Sequence, residues 1–289
     1  MSRTVERQPQ EETTAKRSHP APGESWLDRT PRSVALIVIG AAGLLVWYGI
    51  TLLELVSPIL FPGPGPTFGE IITSARGIVS GDYVFEALVI TSLEAVLGFI
   101  AAAVLGFALG VVVGEMNIGQ KAVMPYLVAF NATPKVAFAP VFVAWLGFGI
   151  NSKVVMALFI AFFPVIVDTA AGLAAVDRDA VMLFRSLGAS RWQTLVKLKL
   201  PSALPFIFAG LKTAAVFSVV GAVVGEYLGG GQGLGELVRQ SAQQLRLDRV
   251  FALIFYLSLL GLALFGLVTW LERRLVFWHK ADPIEIASA

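Results

Sequence analysis

The sequence predicts an all-α membrane protein with six transmembrane helices. The 289-residue chain is 56% hydrophobic and 15% charged, with a mean hydropathy of +0.75, which is far from the balance of a soluble globular domain. Its apolar residues fall into runs that are long enough to cross a bilayer. Its basic residues are concentrated in alternate connecting segments, which is typical of a multi-pass protein.

Residues 1–32 form a polar tail that precedes the first apolar run. The tail carries six Lys or Arg residues and four prolines. This composition is typical of disorder. The tail is also too long and too charged to begin a cleaved signal peptide, so we expect the first apolar run to remain as an anchor.

Three apolar runs are free of charge and predict membrane spans directly. They comprise 21 residues between Arg32 and Glu54, 20 between Glu94 and Glu115, and 22 between Arg249 and Glu272. Each is enough to cross ~30 Å of hydrocarbon as a helix. Three further runs, at about 122–147, 154–176 and 202–228, contain Lys135, Asp168 and Lys212 respectively. We interpret these as the remaining spans.

The segments between the spans carry signals of their own. Four prolines in "SPILFPGPGP" end the first helix, and a short helix over about 67–79 is expected to follow. Glycines recur every four residues at 106, 110 and 114, and again at 221, 225 and 229. Small residues at this spacing let helices approach closely, and we favour packing within the chain over a role specific to dimer formation.

The basic residues predict the orientation of the chain in the membrane. With the N-terminus inside, fifteen Lys or Arg residues fall in inner segments and five in outer ones. Cytoplasmic loops carry the excess of basic residues, so both termini are predicted to be cytoplasmic. The C-terminal tail, residues 277–289, is then cytoplasmic, and the transmembrane domain comprises residues 33–276.

Residues 177–200, "DRDAVMLFRSLGASRWQTLVKLKL", predict two short amphipathic helices in a cytoplasmic loop. Asp177 can cap the first helix, and Gly188 suits the left-handed turn that ends it. Ser190 can cap the second helix, which we expect to stop before Pro201. One interpretation of this loop is a helix that rests on lipid headgroups through its basic face.

The loop also resembles the cytoplasmic signature of inner-membrane permeases of ABC importers. In that signature a Glu-Ala-Ala segment is followed by three residues, a glycine, nine residues and Ile-x-Leu-Pro; here Gly188, nine residues and "LKLP" fit the spacing without a gap. The resemblance implies a type I importer fold with cytoplasmic coupling helices that dock on a separate ATPase subunit. The residues it assigns to this contact are Met182, Leu183, Phe184, Leu187, Gly188, Ala189, Leu198, Leu200 and Pro201.

The resemblance extends over roughly residues 62–270. The stretches "ATPKVAFAPVFVAWLGFGINSKVVMALFIAFFPV" and "GAVVGEYLGGGQGLG" are similar to the branch that transports nitrate, sulfonates, taurine and thiamine pyrimidine precursors. It implies an external binding protein and a homodimer of permeases in the plasma (inner) membrane. One departure is that Met182, Leu183 and Phe184 replace the Glu-Ala-Ala residues, so we expect a more apolar contact with the ATPase.

Several kinds of chemistry find no support in the sequence. There is no cysteine, both histidines lie in the polar termini, and neither a G-x-x-x-x-G-K-[ST] nor a G-x-G-x-x-G motif is present. We therefore expect no catalytic residue, metal or cofactor in this chain and assign ATP hydrolysis to a partner. A secondary transporter and an intramembrane enzyme are the rival interpretations, but the spans show isolated charges without a repeat or an acid–base pair.

Two groups of residues are candidates for the translocation path. Inside the third span lie polar groups and two helix breakers, namely Asn131, Thr133, Pro134, Lys135 and Pro140, and irregular backbone is tolerated there only against protein or water. The alternative is a kinked packing helix whose lysine reaches the interface or pairs with a carboxylate. Asp168 and Lys212 are interpreted as partners of each other or, preferably, as residues near the cytoplasmic interface.

Glu226 ends the fifth span beside a cluster of glycines and is the second candidate. A carboxylate next to mobile backbone suits a gate or a substrate contact, whereas a solvated helix end is the alternative. A carboxylate at this mouth would repel anions. The sequence therefore favours a neutral or cationic heterocycle, such as a pyrimidine or thiamine precursor, over nitrate, sulfonate or taurine.

Overall fold

The computed structural model describes residues 32–116 and 122–278, and every regular element in these ranges is helical. The helices are α1 (Arg32–Leu52), α2 (Pro64–Ser80), α3 (Tyr83–Glu115), α4 (Met124–Asn131), a 3-10 turn (Lys135–Phe138), α5 (Ala139–Leu146), α6 (Ile150–Ala174), α7 (Arg178–Ser186), α8 (Arg191–Thr194), a π-helical turn (Leu195–Lys199), α9 (Leu200–Gly229), α10 (Leu234–Gln243) and α11 (Leu247–Leu275). Nearly all of both predicted tails lies outside the described residues.

The described chain divides into two compact units. The described part of the first unit, which ends at Ile50, consists of helix α1 residues. The second unit begins at Thr51 and contains the other helices. The predicted short helix over 67–79 is present there as α2. It begins at Pro64, ends at Ser80 and is capped by Gly81 in the left-handed conformation.

Helices α3, α6 and α9 form the core of the second unit and approach each other closely along glycine faces. A Cβ atom at Gly106 would lie 2.7 Å from the Cβ of Val165, and one at Gly221 would lie 2.5 Å from the Cα of Ala157. Only a residue without a side chain fits at these points. The predicted packing of these glycines within the chain is therefore confirmed.

Four described helices are long and apolar enough to cross a bilayer: α3, α6, the continuous helix Arg191–Gly229 and α11. A fifth crossing is added if α4 and the helical run Lys135–Leu146, which meet at an angle of 79°, count as one broken span. In α1 the apolar part, Ile37–Leu52, is shorter. The all-α membrane class is thus supported, with four or five spans by length and composition.

Pro201 does not stop the second short helix, contrary to the prediction. Helix α8, the π-helical turn and α9 run on as one helix of 39 residues, Arg191–Gly229, which we call the long helix. The amide of Leu200 bonds to the carbonyl of Leu195 five residues earlier. This wider turn lies where the proline ring and its missing N–H would disturb regular i→i−4 bonding, so the helix continues through the proline.

Candidate functional site

The coupling segment, residues 177–200, has the caps and the turn that its local signals predict. The side chain of Asp177 accepts a hydrogen bond from the amide of Asp179 and caps α7. Gly188 has φ +81°, and the amide of Ala189 donates to the carbonyl of Phe184 at 3.0 Å. This is a Schellman turn, in which glycine avoids the cost of a left-handed backbone.

Ser190 begins the long helix with a capping box. The backbone amide of Gln193 donates to the Ser190 hydroxyl at 3.2 Å, and the backbone amide of Ser190 donates to the side-chain oxygen of Gln193 at 2.8 Å. Two orphan donors are thereby satisfied without any contact from elsewhere in the chain. The junction between α7 and the long helix is consequently held by short-range bonds.

Large apolar side chains are exposed on both sides of this junction. The exposed fractions are 59% for Met182, 58% for Leu183, 77% for Leu187 and 71% for Trp192. A shallow pocket beside them is lined by Phe184, Leu187, Gly188, Ala189, Gln193 and Lys197. An apolar surface of this kind, rimmed by polar groups, is typical of an interaction site.

The C-terminal residues of the coupling segment belong instead to the bundle. Leu198, Leu200 and Pro201 are half-buried on the long helix, and Leu200 packs beside a buried cluster that includes Leu173. The ammonium of Lys199 lies 2.6 Å from a carboxylate oxygen of Glu115 at the end of α3. These contacts attach the coupling segment to the core helices.

The polar segment 131–135 lies at the break between α4 and the 3-10 turn. The ammonium of Lys135 donates to the Asn131 side chain at 2.5 Å and lies 4.9 Å from the ring centre of Phe163. Thr133 is half-buried, and Pro134 is exposed. The lysine thus has an amide and an aromatic face as partners, rather than the carboxylate that the packing alternative considered.

Asp168 and Lys212 are not partners. Lys212 pairs with Glu272 of α11, with 3.0 Å between the charged atoms. Asp168 is half-buried and lies against Gly210, where an added Cβ would be 3.0 Å from the Cβ of Asp168. The sequence could not show whether Lys212 pairs with Asp168 or with Glu272, because both carboxylates are far from it along the chain.

Glu226 is fully buried, so the solvated helix end is wrong. Its carboxylate accepts a hydrogen bond from the Thr91 hydroxyl at 2.6 Å and one from the Gly235 amide at 2.5 Å. Glu94 lies beside it, and the ammonium of Lys153 lies 3.4 Å from a Glu94 carboxylate oxygen. Lys153, which lies just before the span predicted at about 154–176, is a buried residue of α6. No spacing in the sequence indicates that Thr91, Glu94, Lys153 and Glu226 meet.

Helix α10 begins within the glycine segment, residues 229–235, and carries its own ion pair. Arg239 donates to both carboxylate oxygens of Glu236, from Nε at 2.7 Å and from Nη2 at 2.5 Å. These hydrogen bonds lower the pKa of Glu236. Arg239 also lines a shallow pocket with Phe148, Tyr227 and the glycine backbone.

Comparison with known proteins gives one family and several relatives. The model of the family described as "Binding-protein-dependent transport system inner membrane component" matches residues 102–277. Over 203 residues, 68% of this chain and 80% of the relative, the sequence is 39% identical to the formylaminopyrimidine transport permease protein of Halalkalibacterium halodurans. It is 30% identical to the putative aliphatic sulfonates transport permease protein of Bacillus subtilis, over 85% of this chain and 87% of the relative. With the taurine transport system permease protein of Escherichia coli, identity is 29% over 88% of this chain and 93% of the relative.

Proposed function

Because the chain belongs to the family of binding-protein-dependent transport system inner membrane components, we propose that it forms the translocation path of an ATP-driven importer. A separate ATPase subunit hydrolyses ATP, and an external binding protein delivers a small solute. Two copies of the chain form the path as a homodimer. Membership in a family of transport permeases supports this function over that of an enzyme.

The proposed arrangement has six spans: α1, α3, the bent α4–α5 pair, α6, the long helix and α11. Both termini are cytoplasmic, and the protein resides in the plasma (inner) membrane. Because Lys153 is buried, the basic residues now divide fifteen inside to four outside, which favours the same orientation. The coupling segment then lies in the cytoplasm.

The observation that carries the function is the exposed apolar surface of the coupling segment. Met182, Leu183 and Leu187 form the part of this surface that docks in a groove on the ATPase, as an amphipathic helix does in a groove. Since the Schellman turn and the capping box fix α7 to the long helix, a displacement of α7 is passed directly into the bundle.

The polar break at residues 131–135 is the proposed lining of the path. Asn131, Thr133 and Lys135 supply an amide, a hydroxyl and an ammonium at the same break in a span. Irregular backbone at membrane depth is tolerated where it faces water or protein, which supports this placement. Glu226, also a candidate from the sequence, contributes to the path through the segment that it anchors rather than by facing the solute.

We propose a pyrimidine or thiamine precursor as the solute. The relative named for formylaminopyrimidine transport is 39% identical, and Phe130, which is 44% exposed at the end of α4, offers an aromatic face beside the polar break. The burial of Glu226 removes the electrostatic argument against anions. A sulfonate or taurine is therefore the second candidate, favoured by the ammonium of Lys135 and by the relatives named for those solutes. Binding of candidate ligands to the cognate binding protein distinguishes the two.

The coupling role is tested with Gly188→Arg in the complex reconstituted with its ATPase. A side chain here costs about 1–2 kcal/mol of backbone strain and blocks the docking surface. We expect ATPase stimulation by loaded binding protein to be abolished, while membrane insertion is retained. Met182→Glu should be milder, because it restores the carboxylate of the family signature.

Gly81→Arg is the matched control for strain and charge. Gly81 also ends a helix in the left-handed conformation, with φ +74°, and an added Cβ meets nothing within 4 Å at either glycine. Stimulation should survive in this variant. Normal stimulation in Gly188→Arg would overturn the coupling assignment and favour a helix that rests on lipid.

A further inference from the structure

Helix α10 begins without a capping side chain of its own. Its N-cap residue is Gly233, and the cap is supplied by Glu226 of the long helix, which accepts from the Gly235 amide at 2.5 Å. The hydroxyl of Thr91 in α3 donates to the other carboxylate oxygen at 2.6 Å and accepts from the backbone amide of Leu234 at 2.8 Å. A carboxylate at a helix N-terminus satisfies orphan donors and interacts favourably with the helix dipole.

The glycine segment is shaped around this carboxylate. A Cβ atom would lie 2.1 Å from a Glu226 carboxylate oxygen at Gly233 and 2.7 Å from one at Gly235. Lys153 holds the same segment from α6, since its ammonium donates to the Gln232 carbonyl at 3.1 Å. Three core helices therefore contact one short stretch of backbone.

These anchoring groups are removed from solvent. Glu226 is 0% exposed, Glu94 1% and Lys153 4%. Burying charged groups is costly unless they are paired and hydrogen-bonded, so contacts of this kind are expensive to break. The side chains that hold the segment are therefore shielded from solvent.

The long helix joins this anchor to the coupling segment. It begins at the Ser190 cap and ends at Gly229, 39 residues or about 58 Å later. We propose that Glu226 is a positioning residue, which fastens the glycine segment and α10 to the far end of the long helix. A displacement of the coupling segment then moves the segment and α10 together with the helix.

This inference rests on the proposed import function for its consequence, but the anchor can be tested on its own. The chain has no cysteine, and Gln232 is exposed and is held through its backbone carbonyl, which accepts from Lys153. A nitroxide spin label at Gln232→Cys therefore reports the motion of the glycine segment in the reconstituted complex. Its electron paramagnetic resonance line shape can be recorded without ATP or solute.

The variants separate loss of the acceptor from loss of charge. Glu226→Leu removes both acceptors at similar volume and should mobilise the label, whereas Glu226→Gln keeps an oxygen for the Gly235 amide and should restore a restricted spectrum. Glu272→Gln, which breaks another ion pair of the long helix, should have no effect. A restricted spectrum in Glu226→Leu, or a mobile one in Glu226→Gln, would overturn the proposal.

The same contact can be tested by substitutions in the glycine segment instead of at Glu226. Alanine is strained at both positions, with φ +128° at Gly233 and φ +65° at Gly230, but only the Cβ at Gly233 meets the Glu226 carboxylate, whereas the one at Gly230 meets nothing within 4 Å. We expect the label to be mobilised only in Gly233→Ala. If Glu226→Leu fails to insert, the two glycine variants still show whether the Glu226 carboxylate anchors the segment. Equal spectra for these two variants would refute the anchor.

Uptake measurements connect the anchor to transport. In Gly233→Ala the maximal rate should fall, while the half-saturating concentration of loaded binding protein should be unchanged, because the defect lies in movement after docking. A raised half-saturating concentration with an unchanged maximal rate would contradict this and make the segment a docking element. If the unmodified complex shows no ATP-dependent uptake, the import function fails, while the spectra still decide the anchor.

Discussion

Lys153 illustrates how much a single buried charge depends on its partners. Its ammonium forms an ion pair with the Glu94 carboxylate and donates a hydrogen bond to the Gln232 carbonyl, and the side chain is almost fully buried. One oxygen of Glu94 is itself without a hydrogen-bond partner among the described residues. The lysine is thus the sole cation within ion-pair distance of Glu94 in the described part of the chain.

Lys153→Met tests this dependence. Removing one partner of a buried pair leaves an uncompensated charge and costs about 3–5 kcal/mol. We expect a large decrease in the thermal midpoint of the purified protein in detergent.

Lys212→Met is the control for this experiment. The Lys212–Glu272 pair is less buried, with 24% and 21% of its two side chains exposed against 5% and 1% for the Lys153–Glu94 pair, so its loss should cost less. Equal losses of stability in the two variants would show that burial of Lys153 has no special consequence.

At the scale of elements, the glycine face of α3 decides how closely it packs on α6. A Cβ atom at Gly110 would lie 2.6 Å from the Cβ of Thr169 and 2.9 Å from the carbonyl of Ile166. The backbone carbonyl cannot move away as a flexible side chain could. The two helices must separate if any side chain is added here.

Gly110→Ala should therefore destabilise the fold by about 1–3 kcal/mol through overpacking. Gly261→Ala in α11 is the control, because an added Cβ there meets nothing within 4 Å. Alanine should be neutral or stabilising by up to about 1 kcal/mol at that position. Thermal denaturation of both variants checks the difference, and a neutral Gly110→Ala would argue against the close approach.

At the scale of the whole molecule, the direction of insertion follows from the distribution of basic residues. A reporter fused after Ala289 should be active in the cytoplasm, and one inserted near Gly63 should lie on the opposite side. The reason is that the proposed topology places an odd number of crossings between the two points. Reporters on the same side would contradict six spans with both termini inside.

Local signals were sufficient to predict several parts of the structure. Asp177, Gly188 and Ser190 were predicted as caps and as a turn, and all three are, because their partners lie within a few residues. The glycine spacing predicted close packing because period and residue size are properties of the sequence. The apolar runs similarly predicted most of the long helices.

Only the tertiary structure decided which distant groups meet. The partners of Glu226, Lys153 and Lys212 come from other helices, and no spacing in the sequence brings them together. Pro201 was misjudged because a proline ends a helix only where no wider turn accommodates it. The sequence by itself thus determined the class, the apolar helices and the local turns, whereas the burial of its charges depended on how the helices pack.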